Sequence, residues 1–144
     1  MSKKYKCGYL ISAVIILLIL TVIYFQVNRN RALEFNYEDV VKIELNTSDG
    51  KTSDISDKNI IINICSWLNA TQKLNNPPAC FGSGDPRITI YKETGNLDIY
   101  IAGDGCSNVR YNGTYFSIPE DINKKLRKLF IDHSLNIVQR RNGR

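Results

Sequence analysis

The sequence predicts an α+β fold: one N-terminal transmembrane helix, then a small antiparallel sheet of four to six strands with two helices on one face. Three observations carry this. The run from Cys7 to Asn28 holds no charged residue. Apolar and polar residues alternate with a period of two over 88–101, with turn residues in the middle. Two further segments repeat their apolar residues at helical spacing. A half-buried strand wants the first kind of period and an amphipathic helix the second.

Residues 1–6 read as a cytoplasmic N-terminus and 7–28 as the membrane span. About 20 apolar residues at a 1.5 Å rise cross a hydrocarbon core of roughly 30 Å. Tyr9, Tyr24 and Phe25 sit where interfacial aromatics belong. The run exceeds a signal-peptide core, and Tyr24-Phe25-Gln26-Val27 offers no small-x-small cleavage site. Lys3, Lys4 and Lys6 precede the span, while Arg29 and Arg31 follow it. This bias, with three of the four cysteines beyond the span, orients the N-terminus toward the cytoplasm and the rest outside it. The expected location is a single-pass membrane protein, in the inner membrane facing the periplasm if the source is Gram-negative. The lipid bilayer is thus one expected partner.

Residues 29–36 read as a juxtamembrane linker, and 37–138 as one globular domain. In the first strand Val41, Ile43 and Leu45 alternate with Lys42 and Glu44. Asp49-Gly50 turns the chain, and a short strand follows near Thr52–Ile55. Ser56 or Asp57 caps a helix running to Ala70, with Ile60, Ile61, Ile64, Trp67 and Leu68 on its apolar side. Residues 72–87 hold three prolines together with Gly82 and Gly84, and read as a loop.

A hairpin comes next. Ile88 and Ile90 alternate with Thr89 and Tyr91, Glu93-Thr94-Gly95-Asn96 turns, and Leu97, Ile99 and Ile101 alternate with Asp98 and Tyr100. A second hairpin turns on Asn112-Gly113, the pair favoured in type I′ turns. Ser117-Ile118-Pro119-Glu120 reads as a capping box opening a last helix. Ile122, Leu126, Leu129, Phe130 and His133 share one face of that helix. Residues 139–144 form a basic tail, read as a solvated terminus, with contact to anionic headgroups as the sharper alternative.

The net charge of +5 is a property of the ends. Between Ala32 and Gln139 the 14 acids outnumber 11 Lys and Arg. A nucleic-acid binder carries its basic stripe on the fold, so that class of partner is excluded.

Cys80 and Cys106 flank the first hairpin, whose two ends are neighbours, and a disulfide between them is favoured over Cys65–Cys80. Cys65, between Ile61 and Leu68, reads as a buried thiol. The one histidine has no triad partner in the sequence. Gly82-Ser83-Gly84 is no nucleophile elbow, and neither metal-ligand spacing nor a phosphate loop occurs. No enzyme, metal or cofactor is expected. The expectation is an extracytoplasmic binding module for a protein partner, of the bacteriocin-immunity or toxin-inhibitor kind. The alternative is an accessory subunit of a membrane complex. Candidate contact residues are Phe81, Asp85, Tyr91, Asp98, Tyr100, Asp104, Tyr111 and Tyr115, because tyrosine and its neighbours supply large contact area at low entropic cost.

Overall fold

A computed structural model of the chain describes residues 12–24 and 32–135. The chain forms two compact units, Met1–Arg31 and Ala32–Arg144.

In the first unit the described backbone is helical over 12–24 (α1). Its large apolar side chains, among them Ile15, Leu17 and Leu20, are exposed. No helix among the described residues is long and apolar enough to cross a membrane. The expected transmembrane helix over 7–28 is corrected accordingly. Its flanks at 7–11 and 25–28, the N-terminus 1–6 and the tail 139–144 lie outside the described residues.

The second unit begins with an extended segment and a 3-10 turn at Tyr37–Asp39. There follow β1 (Val40–Asn46), β2 (Thr52–Ile55), α2 (Lys58–Asn69), β3 (Gln72–Lys73), β4 (Arg87–Lys92), β5 (Gly95–Ile101), β6 (Asn108–Tyr111), β7 (Thr114–Ser117) and α3 (Glu120–Asp132). The strands form one sheet in the order β2-β1-β4-β5-β6-β7-β3. Every neighbouring pair is antiparallel. The sheet has seven strands, more than the four to six expected. The unforeseen strand is β3, two residues long, inside the stretch that composition marks as loop. Gln72 and Lys73 join the sheet only through their backbone, opposite Ser117 and Phe116.

Alternation sorts the strand residues onto two faces. The inner face carries Ile43, Leu45, Ile55, Ile88, Ile90, Ile99, Ile101, Val109 and Phe116, all buried. Ile61, Ile64, Cys65 and Leu68 of α2 and Leu126, Leu129 and Phe130 of α3 close the same core. Apolar area leaving water here, at about 25 cal/mol per Å², is the main force holding helices to sheet.

Residues 32–36, the described part of the segment expected as a linker, join this core. Leu33 and Phe35 are buried. Their backbone N–H groups donate to Thr71 Oγ1 (3.0 Å) and Asn69 Oδ1 (2.6 Å), and Asn69 Nδ2 donates back to the Phe35 carbonyl at 2.9 Å. These bonds supply partners that an extended segment beside a helix end otherwise lacks.

Local chemistry sets the element ends. Asp57 caps α2, accepting from the N–H groups of Asn59 (2.8 Å) and Ile60 (3.1 Å). The capping box at Ser117–Glu120 is not formed. Pro119 occupies the cap position of α3 with no side-chain cap bond, and Ser117 closes β7, donating to the Gln72 carbonyl at 3.4 Å. Asn112 (φ 46°) and Gly113 (φ 74°) both take the left-handed backbone that a two-residue primed turn requires. The register of β1 against β4 shifts between Val40 and Lys42. That bulge turns Val41 outward, 62% exposed, so Val41 leaves the core row it was expected to share with Ile43 and Leu45.

Candidate functional site

The outer sheet face has no helix against it among the described residues. Register places its side chains in rows. One row runs Asn46, Arg87, Tyr100, Arg110, Tyr115, and the next runs Asp54, Glu44, Thr89, Asp98. Lys42 and Tyr91 form a third, shorter row.

At one end of the first row the side chains stack. The Arg110 guanidinium lies 4.6 Å from the Tyr100 ring centroid and 5.5 Å from that of Phe81. The Phe81 ring stands 5.2 Å from that of Tyr115, tilted by 56°. A cation against ring faces is attracted by their negative quadrupole, worth about 0.5–1 kcal/mol at an accessible site and more when water is displaced.

Phe81 belongs to no strand. It reaches the stack because Cys80 and Cys106 are joined by a disulfide, with Cα atoms 6.2 Å apart. This pairing agrees with the sequence expectation, and Cys65 is the free, buried cysteine of the described residues. Burial pushes the Cys65 thiol upward from its ordinary range. Asp85 completes the loop, its two oxygens accepting from the N–H groups of Gly82 (2.9 Å) and Gly103 (3.3 Å). Asp104 accepts from the Cys106 N–H at 3.1 Å.

The remaining polar groups of the face pair among themselves. Thr89 Oγ1 donates to Asp98 Oδ1 (2.7 Å), and Arg87 Nη1 reaches Asp98 Oδ2 (3.4 Å). Asn46 Nδ2 donates to Thr89 Oγ1 at 3.3 Å, and the Tyr91 hydroxyl donates to Glu44 Oε2 at 3.4 Å. Lys42 donates to Asp54 (3.1 Å) and lies 4.6 Å from the centroid of the Tyr91 ring. Its pKa is raised, chiefly by the Asp54 hydrogen bond. Beside the stack, Asp98, Tyr100, Arg110, Asn112 and Tyr115 help to line an open depression of about 580 Å³.

No family model, no curated protein and no solved structure matches this chain.

The structure brings together Phe81, Tyr91, Asp98, Tyr100 and Tyr115 on or against the outer face. Tyr111 borders the same depression from the other side of its strand. It pairs with Ile99 on the inner side and meets the Phe35 ring edge-on at 5.9 Å, so it packs against the core. Asp85 and Asp104 sit in loops and hold backbone. Arg87 and Arg110 stand on this face as well, and alternation from buried Val109 is the signal in the sequence that puts Arg110 on the tyrosine side.

The arrangement holds no familiar catalytic set among the described residues. His133 Nδ1 lies 3.1 Å from Ser53 Oγ, tying the end of α3 to β2, with no carboxylate completing a triad. Among the described residues one set of ligand-type atoms converges, from Cys80, Cys106 and Asp104, within 4.8 Å of one another. Its two sulfurs are bonded to each other, and a thiolate, not a disulfide sulfur, is the metal ligand.

Proposed function

We propose that this chain is a protein-binding module working in an oxidising compartment outside the cytoplasm, with the outer sheet face as its contact surface. The observation that carries the reading is the Tyr100–Arg110–Phe81–Tyr115 stack, fixed on an uncovered sheet face by a disulfide. Tyr and Arg are the residue types in which contact energy concentrates at interfaces. Side chains already ordered before contact lose little entropy on binding. The disulfide favours an extracytoplasmic setting, since oxidising compartments are where such bonds persist. Capture and neutralisation of another protein, as immunity and toxin-inhibitor proteins do, suits a small domain whose one prepared surface is a contact surface.

The test is site-specific photo-crosslinking in the full chain. A benzoylphenylalanine at Tyr91, on the outer face, is compared with one at Ile131, which is 65% exposed on α3. One protein joined from position 91 and not from 131 supports the reading. Equal yield from both positions, or none from 91, removes it.

A further inference from the structure

We infer that Arg110 is the anchor for a carboxylate of the protein partner, an Asp or Glu side chain entering the depression between β5 and the tip of the β6–β7 hairpin. This rests on the reading of the outer face as a contact surface. Three cations stand on that face. Lys42 is matched by Asp54 at 3.1 Å and Arg87 by Asp98 at 3.4 Å. Arg110 has no ion pair and no hydrogen-bond acceptor among the described residues. Its contacts are ring faces, Tyr100 at 4.6 Å and Phe81 at 5.5 Å.

That difference has a chemical meaning. A guanidinium held by ring contacts alone keeps its five N–H donors uncommitted, in a fork that matches a carboxylate in two parallel bonds. The flanking rings restrict the side chain, so less freedom is lost when an acceptor arrives. Arg110 is half-buried and lines the depression of about 580 Å³. An incoming carboxylate there is partly withdrawn from water, which strengthens the pair relative to an exposed one. Asp98, which lines the same depression, is engaged elsewhere on the face: its Oδ1 accepts from Thr89 and its Oδ2 from Arg87. Tyr115 and Tyr100 wall the same depression and supply apolar contact for the methylenes that carry the acid.

The experiment uses the full chain, disulfide intact and labelled with nitrogen-15, titrated with a capped hexaglutamate peptide and separately with capped hexaglutamine. The expected result is a saturable shift at the Arg110 side-chain N–H and at the Tyr100 and Tyr115 amides with hexaglutamate alone. Arg110→Gln weakens that response about tenfold or more, the scale of a charge-assisted hydrogen bond. Arg110→Lys, which keeps the charge and loses the fork, retains a part of it. No shift in the unaltered chain, an equal response to hexaglutamine, or an undiminished response in Arg110→Gln overturns the inference. The crosslink from position 91 separates the two readings. Unchanged crosslink yield in Arg110→Gln overturns the carboxylate anchor and leaves the contact face standing, whereas no crosslink in the unaltered chain removes the face itself.

Discussion

The Phe81 ring rests 5.2 Å from the Tyr115 ring, and the residue before Phe81 is one half of the Cys80–Cys106 disulfide. The bond thus sets where an otherwise strandless aromatic sits. Replacing both cysteines by Ala is expected to lower stability by about 3.5 kcal/mol, the chain-entropy value for a loop closed over 26 residues. Urea unfolding checks it, with the Phe81–Tyr115 ring contact followed by NMR in the same samples. A loss below about 1 kcal/mol with the ring contact intact contradicts the account.

Phe130 is fully buried between α3 and the sheet, while its neighbour Ile131 is 65% exposed. Phe130→Ala should cost about 3–5 kcal/mol, transfer and cavity together. Ile131→Ala should stay within about 0.5 kcal/mol of the unaltered chain. Comparable losses at both positions, measured by denaturant midpoint, tell against the placement of α3.

The two helix starts differ in kind. Asp57→Ala removes a cap that holds two N–H groups and should cost about 1 kcal/mol. Ser117→Ala removes no cap, and its loss should be a few tenths of a kcal/mol, the scale of an ordinary surface change. Reversal of that order in thermal melts would restore the capping box at Ser117.

Charge linkage works from both ends of the pH scale. Hydrogen bonds from Thr47 to Asp49, from Lys124 to Glu120 and from Lys125 to Asp121 hold these carboxyls below their usual range. The native state then binds fewer protons than the unfolded one, so their contribution is present above the ordinary carboxylate range and fades as pH falls through the lowered values. Cys65 runs the other way. Burial keeps its thiol protonated to higher pH, so stability is lost as pH rises above the ordinary thiol range. Denaturant midpoints across pH 2–11 should show both flanks. Cys65→Ala should remove the alkaline part that comes from the thiol, and a maleimide should label Cys65 only in denaturant.

The hairpins were legible because their turns carry their own chemistry. Asn112-Gly113 needs positive φ twice, and few residue pairs accept that. The inner face of β4 and β5 could be read from strict alternation over Ile88, Ile90, Ile99 and Ile101. Three features escaped for physical reasons. Val41 alternates correctly in sequence, but a bulge is a property of two strands and leaves no mark on one. Gln72 and Lys73 pair by backbone alone, so side-chain pattern cannot announce β3. Leu33 and Phe35 precede the first strand as two apolar residues in a short stretch, too few for a period, and only their partners Thr71 and Asn69 reveal their burial. At the candidate site the tyrosines drew attention by type, whereas parity with Val109 was the surer guide. It separates Arg110 and Tyr115 from Tyr111.

The order of the sheet places short strands at both margins, β2 with four residues and β3 with two. The long strands β1, β4 and β5 lie inside. An open rim offers unpaired N–H and C=O groups to any extended chain, and the offer grows with its length. Here each rim is too brief to template a further strand, and the Lys51 and Lys73 side chains place charge at the two rims. The broad sheet is thereby guarded against growing by self-addition, and a second copy of the chain finds little backbone to zip onto.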